Sequence, residues 1–74
     1  MELSPHLLKR MTDRQFNEVD LRAMLHDASA LRPDVIDGRW VLETRRAREN
    51  REVIVEPDEV DRILVVITAY RVGE

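Results

Sequence analysis

The longest apolar run of the chain decides its fold, and with the residue that closes it this run reads Ile63-Leu64-Val65-Val66-Ile67-Thr68-Ala69-Tyr70. The run is rich in β-branched residues and is too short for a typical helix, so it predicts a central strand that is covered on both faces for much of its length. Because side chains alternate along a strand, we expect Thr68 and Tyr70 to share one face with Leu64 and Val66.

Two shorter strands are predicted ahead of this run, over residues 39–44 or slightly beyond and over residues 51–56, with a turn over residues 46–50. Pro57 is expected to end the second of them. The residues that alternate on one face of these strands are Trp40, Leu42, Thr44, Val53 and Val55. Short connections favour antiparallel pairing of the three strands. A short fourth strand is a further expectation at residues 35–36.

Two helices are predicted ahead of the strands. Ser4 followed by Pro5 is a helix-start signal, which places a first helix near residues 5–13. Asn17 is the expected cap of a second helix that runs to about Ala28. The residues of the first segment that we expect to face a core are Leu3, Leu7, Leu8 and Met11. The predicted fold is therefore α+β, with two N-terminal helices packed on a three- to four-stranded antiparallel meander in the order ααβββ.

Length and composition limit the classes of protein that fit. A chain of 74 residues forms a single domain, residues 1–74, with a modest core. It contains no cysteine, and it has no motif with metal-ligand spacing, so neither a metal nor a cofactor is expected. No apolar run fits a signal peptide or a membrane span, and we expect a soluble, cytoplasmic protein without a membrane partner.

Charge is unevenly distributed along the sequence. The formal net charge of −3 gives no overall attraction to nucleic acid, so nucleic-acid binding would depend on local charge. The basic stretch contains Arg39, Arg45, Arg46, Arg48 and Arg51, and the acidic stretch after it contains Glu56, Asp58, Glu59 and Asp61. The arginines at the predicted hairpin either hold a nucleic-acid backbone or are ordinary solvated charge at a hairpin tip.

A polar stripe runs along the first predicted helix. His6, Arg10 and Arg14 are four residues apart, so they lie on the same side of a helix. The imidazole of His6 titrates near neutrality, as a general acid or base requires, although an exposed first-turn histidine is the simpler interpretation. The two guanidinium groups match the oxygens of a phosphate, or they pair with nearby carboxylates instead. The second histidine, His26, is expected to have a structural role at the end of the second helix.

These residues resemble, in their order, a family of small bacterial domains of unknown function that open with His-x-x-x-Arg-Met-x-x-Arg. The family finishes with a hydrophobic strand that carries Thr-x-Tyr. The matching residues here are His6, Arg10, Met11, Arg14, Thr68 and Tyr70. Such domains look like the RelE-like and barnase-like toxin ribonucleases, whose members pack two helices against an antiparallel sheet and cut RNA without a metal.

The resemblance implies a metal-independent endoribonuclease of toxin type, in which the ribose 2′-hydroxyl attacks the adjacent phosphorus. It implies that His6 acts as acid or base and that Thr68 or Tyr70 orients the scissile group in the catalytic site. The phosphate-binding residues it implies are Arg10, Arg14, Arg45 and Arg51. The implied partners are RNA or the ribosome, together with an antitoxin that covers the face of His6 and Arg10.

A second hypothesis describes a different class of protein. RelE-like toxins tend to be strongly basic, whereas this chain is net acidic. A non-catalytic interaction module would pair with a partner, or form a homodimer, through its charged helix face or a sheet edge. A transcriptional regulator is a third option that has only the arginine-rich hairpin in its favour. Placement of His6, Thr68 and Tyr70 in one cleft would favour chemistry, and placement on opposite faces would favour packing.

Overall fold

The computed structural model describes residues 1–73, which form an α+β fold of two helices and one five-stranded mixed sheet. The helices are α1 (Pro5–Asp13) and α2 (Glu18–His26). The strands are β1 (Glu2–Leu3), β2 (Ala30–Pro33), β3 (Trp40–Arg46), β4 (Glu49–Asp58) and β5 (Ile63–Arg71). Their order across the sheet is β1-β5-β4-β3-β2. The three predicted strands form its centre, and two short strands lie at its edges.

The prediction of three or four strands in a wholly antiparallel sheet is wrong in two respects, because the sheet has five strands and one parallel pair. β1 runs parallel to β5 and pairs through only two residues, a length that leaves no alternation for sequence analysis to detect. The fourth predicted strand at residues 35–36 is wrong, because β2 lies earlier and residues 34–39 form the turn into β3. In that turn the N–H of Asp34 donates to the carbonyl of Arg39 at 2.9 Å. Pro33 is compatible with β2 because the strand lies at the sheet edge.

Both helices begin at the predicted caps. The Ser4 hydroxyl accepts a hydrogen bond from the N–H of Leu7 at 3.0 Å, and α1 has the predicted bounds. Asn17 and Asp20 form a reciprocal capping box at the start of α2. α2 ends at His26, two residues before the predicted end at Ala28. The chain leaves the helix there because Ser29 already bonds the backbone of β3.

The core lies between both helices and one face of the sheet. Its fully packed residues are Leu7, Leu21, Met24, Val53, Val55, Val66 and Ala69. Leu3 and Met11 pack partly against it, as predicted, whereas Leu8 is 51 % exposed and points away. Because both helices contribute to this single cluster, β5 is covered by helices on one face and not on two.

A β-bulge in β5 changes which of its residues face the helices. Val55 pairs with Val66 and Ile54 pairs with Thr68, so Ile67 is an extra residue in the ladder. The insertion shifts the alternation by one position, and Val66 and Ala69 are both buried in the core. The expectation that Thr68 and Tyr70 share a face with Val66 is therefore wrong. Their side chains lie on the sheet face that the helices leave uncovered.

Pro57 lies inside β4 and does not end it. The pairing of β3 with β4 stops at Trp40 and Val55, whereas β4 continues to Asp58 along β5. Pro57 therefore has a neighbouring strand on one side only, which makes it an edge position where proline is tolerated.

The hairpin between β3 and β4 turns through Ala47 and Arg48, both of which have left-handed backbone angles (φ 53° and 65°). A two-residue turn with two positive φ angles favours Asn-Gly. We expect the double substitution Ala47→Asn with Arg48→Gly to raise the free energy of unfolding by about 1 kcal/mol, because it relieves left-handed strain at two residues. Urea unfolding measures the change. Ala47→Val is the control and should lower stability, and equal stability of both variants would contradict a strained turn.

Candidate functional site

A groove of about 210 Å³ opens between the C-terminal end of α1 and the sheet, where β4 begins and β5 ends. Four of its lining residues are arginines from three different elements. We define the arginine groove by Arg10, Arg14, Phe16, Arg51 and Arg71, with Ala69 and Tyr70 completing its wall. Its lining carries more arginines than that of the depression around His6.

The sheet register brings Arg51 and Arg71 together. They are directly paired across β4 and β5, an arrangement in which like charges repel. Glu49 separates the two charges, because one of its oxygens bonds Arg51 and the other bonds Arg71, each at 3.2 Å. The Nε of Arg51 is buried and has no hydrogen-bond partner among the described residues. One carboxylate therefore bridges the two guanidinium groups.

Arg10 is fixed against the sheet from the helix side. Its Nε donates to the backbone carbonyl of Ala69 at 2.7 Å, so its guanidinium bridges α1 and β5. Arg14 caps the C-terminal end of the same helix, one turn further along. Arg10, Arg14 and Arg51, three of the four predicted phosphate-binding residues, line this groove, and their phosphate-binding role stays a prediction.

His6 lies in a shallow depression next to the arginine groove. This depression, of about 200 Å³, is lined by His6, Lys9, Arg10, Asp13 and Arg14. Because Arg10 and Arg14 line both spaces, the two are adjacent along α1. The imidazole is exposed to solvent and stands beside cationic and acidic groups.

Thr68 and Tyr70 are not brought to His6. The hydroxyl of Tyr70 donates to Glu52 at 2.5 Å, and the other oxygen of Glu52 accepts from Arg32 at 2.7 Å. Glu52 alternates with the buried Val53, so this network lies on the sheet face opposite the helices. The hydrogen bond to Glu52, followed by burial, raises the pKa of Tyr70. Its catalytic role stays a prediction, and its hydroxyl is directed away from the arginine groove.

The hairpin arginines separate onto two faces of the sheet. Arg46 lies on the helix side and bonds Asp20 through Nη2 at 2.8 Å and through Nε at 3.2 Å. The hydrogen bond from Arg46, followed by that from the N–H of Asn17, lowers the pKa of Asp20. Arg45 alternates with Arg46 and is exposed on the other face, where its Nη2 contacts the carbonyl of Arg48 at 3.4 Å. Arg45 therefore lies apart from Arg10, Arg14 and Arg51.

Two groove residues were missed by the sequence analysis. Arg71 enters the site because it pairs with Arg51 and follows the bulge, and neither feature leaves a local signal. Phe16 enters because the chain reverses at Gln15, whose φ is 56°. The sequence signal that could have identified Phe16 is an aromatic residue two positions after Arg14, at the end of the arginine stripe.

Neither a metal centre nor a spanning helix occurs in the described part of the chain. No three His, Cys, Asp or Glu side chains of residues 1–73 converge as metal ligands. None of the helices there is long and apolar enough to cross a membrane. Comparisons of the sequence with protein-family models and with curated proteins, and of the structure with solved structures, found no match.

The single tyrosine of the chain allows a direct test of the Tyr70 network. We expect its phenolate absorbance to appear at a higher pH than for an ordinary tyrosine, and Glu52→Gln to lower that midpoint by removing the carboxylate acceptor. A raised folded-state pKa stabilises the fold below the unfolded-state pKa, and this contribution is lost as pH rises through the folded-state value.

Arg32→Gln is the matched control for this titration. The positive charge of Arg32 lowers the pKa of Tyr70, so its removal should move the midpoint in the opposite direction to Glu52→Gln. A midpoint that neither substitution changes would show that the tyrosine is not part of the network in solution.

Proposed function

We propose that the arginine groove binds the phosphate backbone of RNA and that the protein is a metal-independent endoribonuclease of toxin type. One observation carries the proposal: guanidinium groups from α1, β4 and β5 converge on a single groove, and that groove shares Arg10 and Arg14 with the adjacent depression of His6. Guanidinium groups bind phosphate oxygens in a bidentate manner and stabilise the charge that develops during phosphoryl transfer.

The proposed reaction uses the RNA itself as the nucleophile. The ribose 2′-hydroxyl attacks the adjacent phosphorus while one protein group accepts its proton. A second group donates a proton to the departing 5′-oxygen, and the products are a 2′,3′-cyclic phosphate and a 5′-hydroxyl end. We assign one of the two proton transfers to His6. Asp13 and Lys9 line the same depression and are the candidates for the other.

The arginines have distinct parts in this scheme. Arg10 and Arg14 line the depression of His6 as well as the groove and would contact the phosphate that reacts, whereas Arg51 and Arg71 would hold a neighbouring phosphate. The α+β fold with two N-terminal helices supports a relationship with the RelE-like and barnase-like ribonucleases, which we propose on the sequence resemblance. An antitoxin or the ribosome would then contact the same groove.

A non-catalytic interaction module is the second candidate, and two observations favour it. The hydroxyl of Tyr70 and the imidazole of His6 lie on different sides of the sheet, which favours packing over chemistry for Tyr70. All four residues of the edge strand β2 are exposed, including Leu31 at 59 %. An open edge of this kind adds a strand from a partner or from a second copy.

Incubation of the purified protein with total RNA and with ribosome-bound RNA in excess chelator separates the two candidates. We expect wild-type protein to produce cyclic phosphate ends. His6→Ala should reduce the rate by roughly 10²- to 10⁴-fold, the usual contribution of a general acid or base. Arg51→Gln should reduce RNA binding, because it removes one cation from the groove.

Arg22→Gln is the control, because Arg22 is an exposed arginine of α2 that pairs with Glu18 outside the groove. It makes the same change in net charge and should leave cleavage unchanged. Undiminished cleavage by His6→Ala would refute the assignment of His6. Intact RNA together with a stable protein complex would favour the interaction module.

A further inference from the structure

We propose that Phe16 and Gln15 form a subsite for one unpaired nucleobase beside the arginine groove. The inference rests on the proposed RNA binding, and it specifies the substrate class as single-stranded RNA whose base is held separately from its phosphate. A second depression carries the argument. It has a volume of about 410 Å³ and is lined by Arg14, Gln15, Phe16, Asp20, Arg46, Ala47 and Arg51.

The second depression is adjacent to the arginine groove. Arg14, Phe16 and Arg51 line both spaces, so these three residues form the border between them. A ligand with a phosphate in the groove would therefore extend past Phe16 into the second space. This arrangement suits a nucleotide, because a nucleotide joins an anionic group to an aromatic ring.

Charge differs between the two spaces. Beyond the border residues, the charges of the second depression are those of Asp20 and Arg46, which bond each other at 2.8 Å and cancel. The remaining oxygen of Asp20 accepts from the N–H of Asn17 at 3.1 Å, so both carboxylate oxygens have a partner. The far part of the depression is thus polar without net charge. Such surroundings favour a neutral base over a second phosphate.

Phe16 supplies the aromatic surface. It packs partly against the core, and its N–H donates to the carbonyl of Met11 at 3.1 Å, so its position is set by α1. A fixed aromatic ring stacks on any base, because every base has a π-face. Arg14 and Arg51 on either side would hold the phosphates that flank that base.

Gln15 supplies a hydrogen-bonding group at the same place. Its φ of 56° is a left-handed conformation, which is uncommon for residues other than glycine, and such residues concentrate at functional sites. Its side-chain amide offers both a donor and an acceptor, which match the edge of an unpaired base. The reversal at Gln15 also places it between Arg14 and Phe16 on the border of the depression.

Binding of uncleavable RNA tests the subsite. Short 2′-O-methyl oligonucleotides lack the nucleophilic hydroxyl, and an abasic strand of equal length carries the same phosphates without bases. We expect wild-type protein to bind the base-bearing strand at least about tenfold more tightly than the abasic strand, since stacking of one base contributes that much. This comparison needs no substitution, so it does not depend on how a variant folds.

Three variants show which residues contact the base and which contact the phosphates. Phe16→Leu should weaken binding of the base-bearing strand by roughly ten- to a hundredfold and weaken binding of the abasic strand far less, because leucine keeps an apolar groove wall but has no π-face. Arg51→Gln should weaken both, and it should reduce the slope of log affinity against log salt by about 0.7, the value for one phosphate contact on a single strand. Gln15→Ala should reduce differences in affinity among strands of different base.

The outcomes of the binding experiment distinguish the base subsite from phosphate binding in the groove. Equal binding of base-bearing and abasic strands by wild-type protein would overturn the subsite and leave phosphate binding in the groove intact. Loss of abasic binding in Phe16→Leu, in a variant with unchanged thermal stability, would show that Phe16 shapes the groove and does not stack on a base. Failure of wild-type protein to bind either strand would overturn the proposed function together with the subsite.

Discussion

The packing of the helices on the sheet and the position of the arginine groove both depend on how α1 covers the outer edge of β5. β1 pairs with β5 only as far as Val66, and beyond that point backbone carbonyls of β5 receive donors from the segment that contains α1. Ser4 donates twice: its N–H bonds the carbonyl of Val66 at 3.0 Å, and its hydroxyl bonds the carbonyl of Ile67 at 2.5 Å. Arg10 donates to the carbonyl of Ala69. Since backbone polar groups near a core need partners, these bonds let a helix replace an edge strand. They also fix Arg10 at the wall of the arginine groove.

The bulge in β5 works together with this contact. Without the extra residue Ile67, Thr68 would face the helices and Ala69 would face away from them. With it, the small side chain of Ala69 faces the core, and Arg71 joins it on the groove side. Tyr70 turns to the other face, where its bond to Glu52 lies near two buried apolar residues that no helix covers, Val41 and Ile54. The bulge therefore directs Ala69 and Arg71 to the arginine groove and directs Tyr70 to the sheet face that the helices leave open.

Elements that are set by neighbouring residues could be predicted from the sequence, whereas contacts that depend on strand pairing could not. The bounds of α1 followed from Ser4 and Pro5, because capping acts within a few residues. The convergence of Arg51 with Arg71 depends on the register of two strands, which no local pattern records. One error was avoidable. Thr44 was predicted to share one strand face with Trp40 and Leu42, and by the same alternation Arg46, not Arg45, lies on that face, which packs against the helices.

The separation of charge along β4 makes an acidic protein compatible with a phosphate-binding groove. Arg51 lies near the start of β4 and Asp58 at its end, a distance of roughly 23 Å at the usual rise per residue. The Debye length at physiological salt is about 8 Å, so the acidic end has little influence on a phosphate in the groove. The net charge of −3 therefore describes the whole chain but not the field at the site. What a phosphate meets there is the local set of four arginines, two of which, Arg51 and Arg71, pair with Glu49.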